Sequence, residues 1–328
     1  MVAMTARNHK PRRPRPAKHL NAATPHGLGR GRNVARGGTA RDATGAKPIG
    51  AVAAWRESTT ARRIAIAAAS LTAVLCAVAL IIGLVAFQRR RAEIQAVEEQ
   101  QLRLARQYDF NPGDIISDGQ FFNPNAMSRA EIQSFLESHG SALATMTFDT
   151  EDRPADAQCA AYEGASGETA AAVIDKSAHA CGISQKVLLT VLQKEQHLIT
   201  TTDPTDFQLK AAMGLSCPDD ADCDPQYAGF FNQVYGAANR YQYYTRNEDR
   251  YGYHAGGLNT IQYHPDASCG ASEVYIENKA TALLYIYTPY QPNEAALAAG
   301  DGEGDSCSSY GNRNFSLIYA NWFGDPRS

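Results

Sequence analysis

The chain has 328 residues, of which 20% are charged, with 31 Lys and Arg against 34 Asp and Glu and a formal net charge of −3. Such a length allows one or two domains, but the near-neutral total excludes little, because it averages two unlike halves. Residues 1–63 hold fourteen Lys or Arg and only two acids, Asp42 and Glu57, so 17 basic and 32 acidic residues remain downstream.

In chain order, the opening "NHKPRRPRPAKH" and the later "GLGRGRNVARGGTAR" combine Pro, Gly and Arg with few large apolar residues. A segment of this kind buries too little surface to offset its ordering entropy, so residues 1–63 read as a disordered basic tail. Next comes "IAIAAASLTAVLCAVALIIGLVAF", residues 64–87, which is 24 residues without a charge. At about 1.5 Å per residue it is long enough to cross a hydrocarbon core of about 30 Å. It begins too late and runs too long for a cleavable signal peptide. The basic excess before it favours a cytoplasmic N-terminus and an extracytoplasmic C-terminal part, with the protein a single-pass cell-membrane protein. Attraction to anionic lipid head groups, or the setting of topology, accounts for the tail better than nucleic-acid binding does. Residues 88–107 are strong helix formers without Gly or Pro, and they extend the membrane helix as a stalk.

Residues 108–328 carry the folded domain. "NAMSRAEIQSFLESHG" has a Ser-x-x-Glu capping box at Ser128 and Glu131 and a terminating Gly140. "ASGETAAAVIDKSAHACG" gives a second helix that stops at Gly182, and "SQKVLLTVLQKEQHLITT" a third with Ser184 as its N-cap. A helix starting at Pro225 places Tyr227, Phe231, Val234, Tyr235, Ala238 and Tyr241 on one stripe. "ENKATALLYIYTPY" and "NRNFSLIYANWFG" supply two more, and the Gly-rich stretch 246–275 has room for a small hairpin. Five or six helices and few alternating segments predict a mainly α domain behind a single transmembrane helix.

Cysteine use fits the same topology. Cys76 lies in the membrane segment, and six others follow: Cys159, Cys181, Cys217, Cys223, Cys269 and Cys307. An even number outside the membrane suits three disulfides in an oxidising compartment. Cys217 and Cys223 enclose only "PDDAD" and are the first pair expected; sequential pairing adds Cys159 with Cys181 and Cys269 with Cys307. Zinc is the rival reading, and no CxxC pair or HExxH helix supports it. No metal and no organic cofactor are expected.

One residue does not fit its surroundings. In the third helix Leu188, Val191, Leu192, Leu198 and Ile199 form an apolar stripe, and Glu195 falls on it, seven residues after Leu188 and four after Val191. A plain structural account pairs Glu195 with Lys194, Lys210 or Arg240, or lets it reach solvent at the helix end. A chemical account keeps a carboxyl among apolar groups, where the ionised form is disfavoured and the group can act as a general acid.

The order "LQKEQ", a loop, "AMGLSCPD" and a Tyr-rich helix resembles the lytic transglycosylase and goose-type lysozyme superfamily. The strings "GASGETAAAVIDKSAHACGISQKVLLTVLQKEQ", "IQYHPDASCG" and "CSSYGNRNF" resemble secreted bacterial cell-wall proteins, some labelled haemagglutinin. The first resemblance implies a lysozyme-like helical fold that cleaves peptidoglycan glycan strands by transglycosylation or hydrolysis, with Glu195 as general acid and base. It implies Met213, Gly214 and Leu215 lining the cleft, and Tyr285 or Tyr287, in "NKATALLYIYTPY", near the carboxyl. Gln196 and His197 stand where that family's pattern has Ser and Gly. A hydrolytic version needs an acid for water, and Asp203 and Asp206 are nearest. The second resemblance implies the alternative, a non-catalytic module that binds cell-surface glycan. A third reading, a cysteine-dependent wall peptidase pairing a thiol with His264, requires an unpaired cysteine.

Overall fold

The computed structural model describes residues 50–217 and 223–328. The expectation of disorder for 1–49 falls outside the described residues, as does the stretch 218–222. Two compact units divide the chain at Arg89 and Arg90.

The first element, α1 (Gly50–Tyr108), is a single helix. Residues 50–63, expected to be disordered, are its opening turns. Ala-rich "GAVAAW" needs no new nucleus when it extends an existing helix, and propagation is far easier than nucleation. The part of α1 at Thr59–Tyr108 is long and apolar enough to cross a membrane. There Leu71, Val74, Leu75, Leu80, Ile81 and Ile82 are exposed on all sides, as an isolated apolar helix must leave them.

In the second unit the last turns of α1 are fastened to the domain through Gln101, which is almost fully buried. Its Oε1 accepts from the Tyr275 backbone N–H at 2.7 Å, and its Nε2 donates to the Tyr275 carbonyl at 3.1 Å. The side-chain amide thus pairs with a strand edge as a neighbouring strand would. Asn111 accepts from the same Nε2 at 3.3 Å and from the Gly113 N–H at 2.9 Å. A Cβ at position 113 would overlap the Gln101 amide and the Tyr275 carbonyl, so only glycine allows this close approach.

The domain is mainly helical. After α2 (Asp118–Phe121) and α3 (Arg129–Ser138) come the two-residue strands β1 (Thr147–Phe148) and β2 (Glu168–Thr169), paired antiparallel with Thr147 opposite Thr169. Then follow α4 (Ala170–Cys181), α5 (Gln185–Gln196), α6 (Asp206–Lys210) and α7 (Phe230–Arg246). A hairpin of β3 (Gly257–Gln262) and β4 (Ala271–Ile276), running from Gly257 opposite Ile276 to Gln262 opposite Ala271, leads into α8 (Lys279–Tyr287), α9 (Glu294–Ala298) and α10 (Gly311–Phe323). Every residue of α8 from Ala280 to Ile286 is buried. A helix apolar on all faces belongs at the centre. Helix α4 packs on α7 and α5, and α5 packs on α10.

Local chemistry explains several boundaries. Ser128 and Glu131 form a complete capping box at the start of α3, and Gly182 ends α4 in the left-handed region at φ 66°. Ser184 occupies the N-cap position of α5 but makes no side-chain cap; its buried hydroxyl has no partner. Helix α5 also ends sooner than its apolar periodicity predicts. His197 turns left-handed at φ 57°, and Leu198 and Ile199 are buried by that turn and not by helical continuation. Helix α7 begins at Phe230 rather than Pro225, which leaves Tyr227 off the stripe assigned to it.

The six cysteines after the apolar helix form three disulfides, Cys159–Cys181, Cys217–Cys223 and Cys269–Cys307, and Cys76 is free and exposed on α1. With all six paired, no thiol is left for the cysteine-peptidase reading.

Replacing Gln101 by Leu strands both backbone groups of Tyr275. A loss of about 1–3 kcal/mol is expected, read as a lower urea midpoint for the full chain in detergent micelles.

Candidate functional site

Glu195 is the second-last residue of α5, and the structure gives it a partner. The Lys194 Nζ lies 2.5 Å from Glu195 Oε1, with the lysine side chain 7% and the glutamate side chain 16% exposed. Consecutive helix residues point about 100° apart, so the pair forms only because the lysine stem folds back across the last turn. Lys194 Nζ also donates to Thr288 Oγ1 at 3.1 Å and lies 5.8 Å from the centre of the Tyr287 ring. The chemical account above called for an unpaired carboxyl among apolar groups. The observed arrangement is a shielded ion pair, the plain structural account with Lys194 as partner, although the sequence pattern put Lys194 on an outer face.

The turn at Met213–Leu215 closes over this pair. Gly214 has φ 68°, and a Cβ there would come within 2.9 Å of Glu195 Oε2. Two constraints therefore require glycine, the left-handed backbone and the close carboxylate. The turn is held by Gln233, fully buried on α7. Its Oε1 accepts from the N–H groups of Met213 and Leu215, both at 3.0 Å. Its Nε2 donates to the Leu215 carbonyl at 2.8 Å and the Tyr227 carbonyl at 2.7 Å. One side chain thereby ties two loop segments to the helix.

Tyr287 completes the enclosure. Its hydroxyl donates to the Met213 carbonyl at 2.5 Å, and its ring stacks on Tyr241 with centroids 5.0 Å apart. Burial, then Tyr241 and Glu195, push the Tyr287 hydroxyl well above the usual tyrosine range. Burial and then Glu195 do the same to Tyr241, whose hydroxyl is buried without a hydrogen-bond partner. Both phenols are held neutral at any physiological pH, and only that of Tyr287 donates a hydrogen bond.

The expected site residues therefore separate. Glu195, Gly214 and Tyr287 come together. Met213 and Leu215 reach the site by their backbone, while their side chains are buried. Tyr285 is a core residue whose hydroxyl donates to the Pro112 carbonyl at 2.9 Å, toward the stalk junction. Tyr285 and Tyr287 are two positions apart, and on a helix that turns them to different faces. Asp203 and Asp206 are exposed, and neither is bonded to Glu195 among the described residues. No group of three His, Cys, Asp or Glu side chains able to hold a metal exists among the described residues.

Gln233 was not singled out in the sequence, although a signal was present. It falls three residues after Phe230 and four before Ala237, on the buried face of α7, where a polar side chain must find partners. Arg240 carried a second signal, as a cation in a tyrosine-rich helix.

Residues 114–328 match the family model described as LasA, N-terminal domain. No curated protein and no solved structure matches the chain. The family match overturns the lytic transglycosylase and goose-type lysozyme resemblance, and with it glycan-strand cleavage by a single Glu. It gives no support to the haemagglutinin-like glycan-binding alternative. The physical reason lies in what the short motifs encode. A polar residue at the open end of a buried helix, followed by a tight glycine turn, is a local solution open to many helical folds. The match, in contrast, runs through the whole domain.

Gln233→Leu should unfold the 213–215 turn and lower stability by at least about 3 kcal/mol, since four buried backbone groups lose their partner. Gly214→Ala should cost roughly 1–2 kcal/mol from the backbone alone, and more where the methyl meets Glu195. Chemical denaturation of both variants, with unchanged stability as the opposing result, tests the clamp.

Proposed function

The chain belongs to the family of the LasA N-terminal domain, and on that premise we propose that it takes part in peptidoglycan hydrolysis of the protease type. The observation that carries this is the length of the match, which runs from Asp114 to the last residue. The family takes its name from a staphylolytic protease, so the wall bonds at issue are peptide bonds. The enclosed pair of Lys194 and Glu195, the Met213–Leu215 turn and Tyr287 form the part of the domain assigned to the wall peptide. They offer opposite charges, a backbone turn and a phenol on one shielded surface, which suits a polar peptide better than a lipid.

The same proposal places the domain outside the membrane, anchored by α1 with the N-terminus in the cytoplasm. Support comes from fourteen Lys or Arg before the apolar segment. The three disulfides require an oxidising compartment and point the same way.

A second reading has its own observation. The matched family is an N-terminal domain, and the described residues contain neither a three-ligand metal cluster nor a free thiol after α1. On this reading the domain holds the wall for a separate hydrolytic unit.

The full chain in detergent micelles, incubated with purified peptidoglycan sacculi, distinguishes these. Hydrolysis of peptide bonds should release new free amino groups with no new reducing sugar ends, and Glu195→Gln should lower the rate at least tenfold. Co-sedimentation with sacculi without new amino groups would select the wall-holding reading. New reducing ends, or neither cleavage nor binding, would overturn both.

A further inference from the structure

We propose that Arg240 is the anchor for a free carboxylate on the wall peptide, a site adjoining the Lys194–Glu195 pair. The proposal rests on the wall-peptide reading above and extends it to a specific group on the ligand.

Arg240 lies on α7, half-buried, with its guanidinium carbon 5.4 Å from the centre of the Tyr227 ring and 5.9 Å from that of Tyr243. Its Nη2 donates to the Tyr227 hydroxyl at 3.0 Å. A guanidinium has five N–H donors in a planar fork, so most of its hydrogen-bonding capacity is unassigned. Among the described residues no carboxylate lies within ion-pair distance of it, whereas Arg129, Arg153 and Arg327 each have one. Shielding a cation without a counter-charge is unfavourable, and here the two rings keep the fork rigid while leaving its charge uncompensated. A carboxylate matches that fork in shape, in charge and in its need for two parallel donors.

The site is continuous with the pair on α5. Gly214 lies against Glu195, and the next residue, Leu215, packs on Gly236, one turn before Arg240. Tyr227 packs beside Leu215 on Gly236 and is pinned there through its carbonyl by Gln233. Tyr287 lies within the electrostatic reach of both charges: after burial and Tyr241, Glu195 pushes its hydroxyl up and Arg240 pulls it down. A peptide held at Arg240 by its carboxylate would therefore lie over the packed Leu215–Gly236 contact, on the side toward Glu195 and Lys194. The glycine at 236 is what allows this close packing, because a Cβ there would come within 2.8 Å of the Leu215 side chain and 3.1 Å of the Tyr227 ring.

The test uses the full chain in detergent micelles and a synthetic tetrapeptide ending in alanine, prepared with a free C-terminal carboxylate and as the C-terminal amide. Titration calorimetry should show the acid binding at least tenfold more tightly than the amide. Arg240→Gln should bring the two to equal affinity, and Arg240→Lys should restore only part of the preference, since an ammonium offers no planar fork. Near-UV circular dichroism checks that each variant keeps its tyrosine packing, and the lysine variant decides the matter if the glutamine variant does not fold. Equal binding of acid and amide by the wild type, no binding of either, or a preference that survives in Arg240→Gln would each overturn the proposal. So would inorganic phosphate displacing the acid peptide at lower concentration than acetate does. The wall reading is judged separately on sacculi. Engagement of sacculi without acid preference rejects only the carboxylate anchor, whereas acid preference without engagement rejects only the wall reading.

Discussion

Everything at the site depends on the four hydrogen bonds that Gln233 makes to backbone groups. The described residues between α6 and α7, 211–217 and 223–229, belong to no helix or strand, and a loop's backbone groups must be satisfied wherever they are buried. Gln233 accepts from Met213 and Leu215 and donates to Leu215 and Tyr227, so one amide sets the place of two segments at once. The close approach of Gly214 to Glu195, the acceptor offered to Tyr287 and the lid of Tyr227 on Arg240 all follow from that placement. An apolar residue of the same size would keep the packing of α7 and lose the loop.

Around this clamp the charges are arranged with unequal compensation. Lys194 and Glu195 neutralise each other under Tyr287 and Thr288, with most of both side chains out of solvent. Shielded pairs of this kind add little net stability, because desolvation offsets the attraction. Their presence is better understood as fixing a polar surface than as holding the fold. Arg240, half-buried between two tyrosines, has no such partner among the described residues, and that asymmetry gives the surface a direction.

The attachment of the stalk follows a similar logic by different means. Gln101 satisfies a strand edge from a helix, so the last turns of α1 belong to the domain and not to a free spacer. The amide side chain is well suited to this, since it carries a donor and an acceptor in the geometry of a peptide group.

Much of this protein follows from its sequence alone, for reasons that are local. The apolar segment, the capping box at Ser128 and Glu131, the stop at Gly182 and the mainly helical character are all set by neighbouring residues or by simple periodicity. The odd placement of Glu195 on an apolar stripe was equally visible. Its meaning was not, because the choice between an isolated acid and a paired one depended on whether Lys194 folded inward, and periodicity assigns that lysine to the outside. Tyr285 and Tyr287 looked interchangeable along the chain, yet the helix turns one toward Pro112 and the other toward Met213. The short motifs around Glu195 and Gly214 suggested a glycan-cleaving family, and the match across the whole domain corrected them. Only the tertiary structure could decide the pairing of Glu195 and the different roles of the two tyrosines, because each rests on contacts between residues distant in sequence: Lys194 with Thr288, Gln233 with Met213, and Tyr287 with Lys194 and Met213.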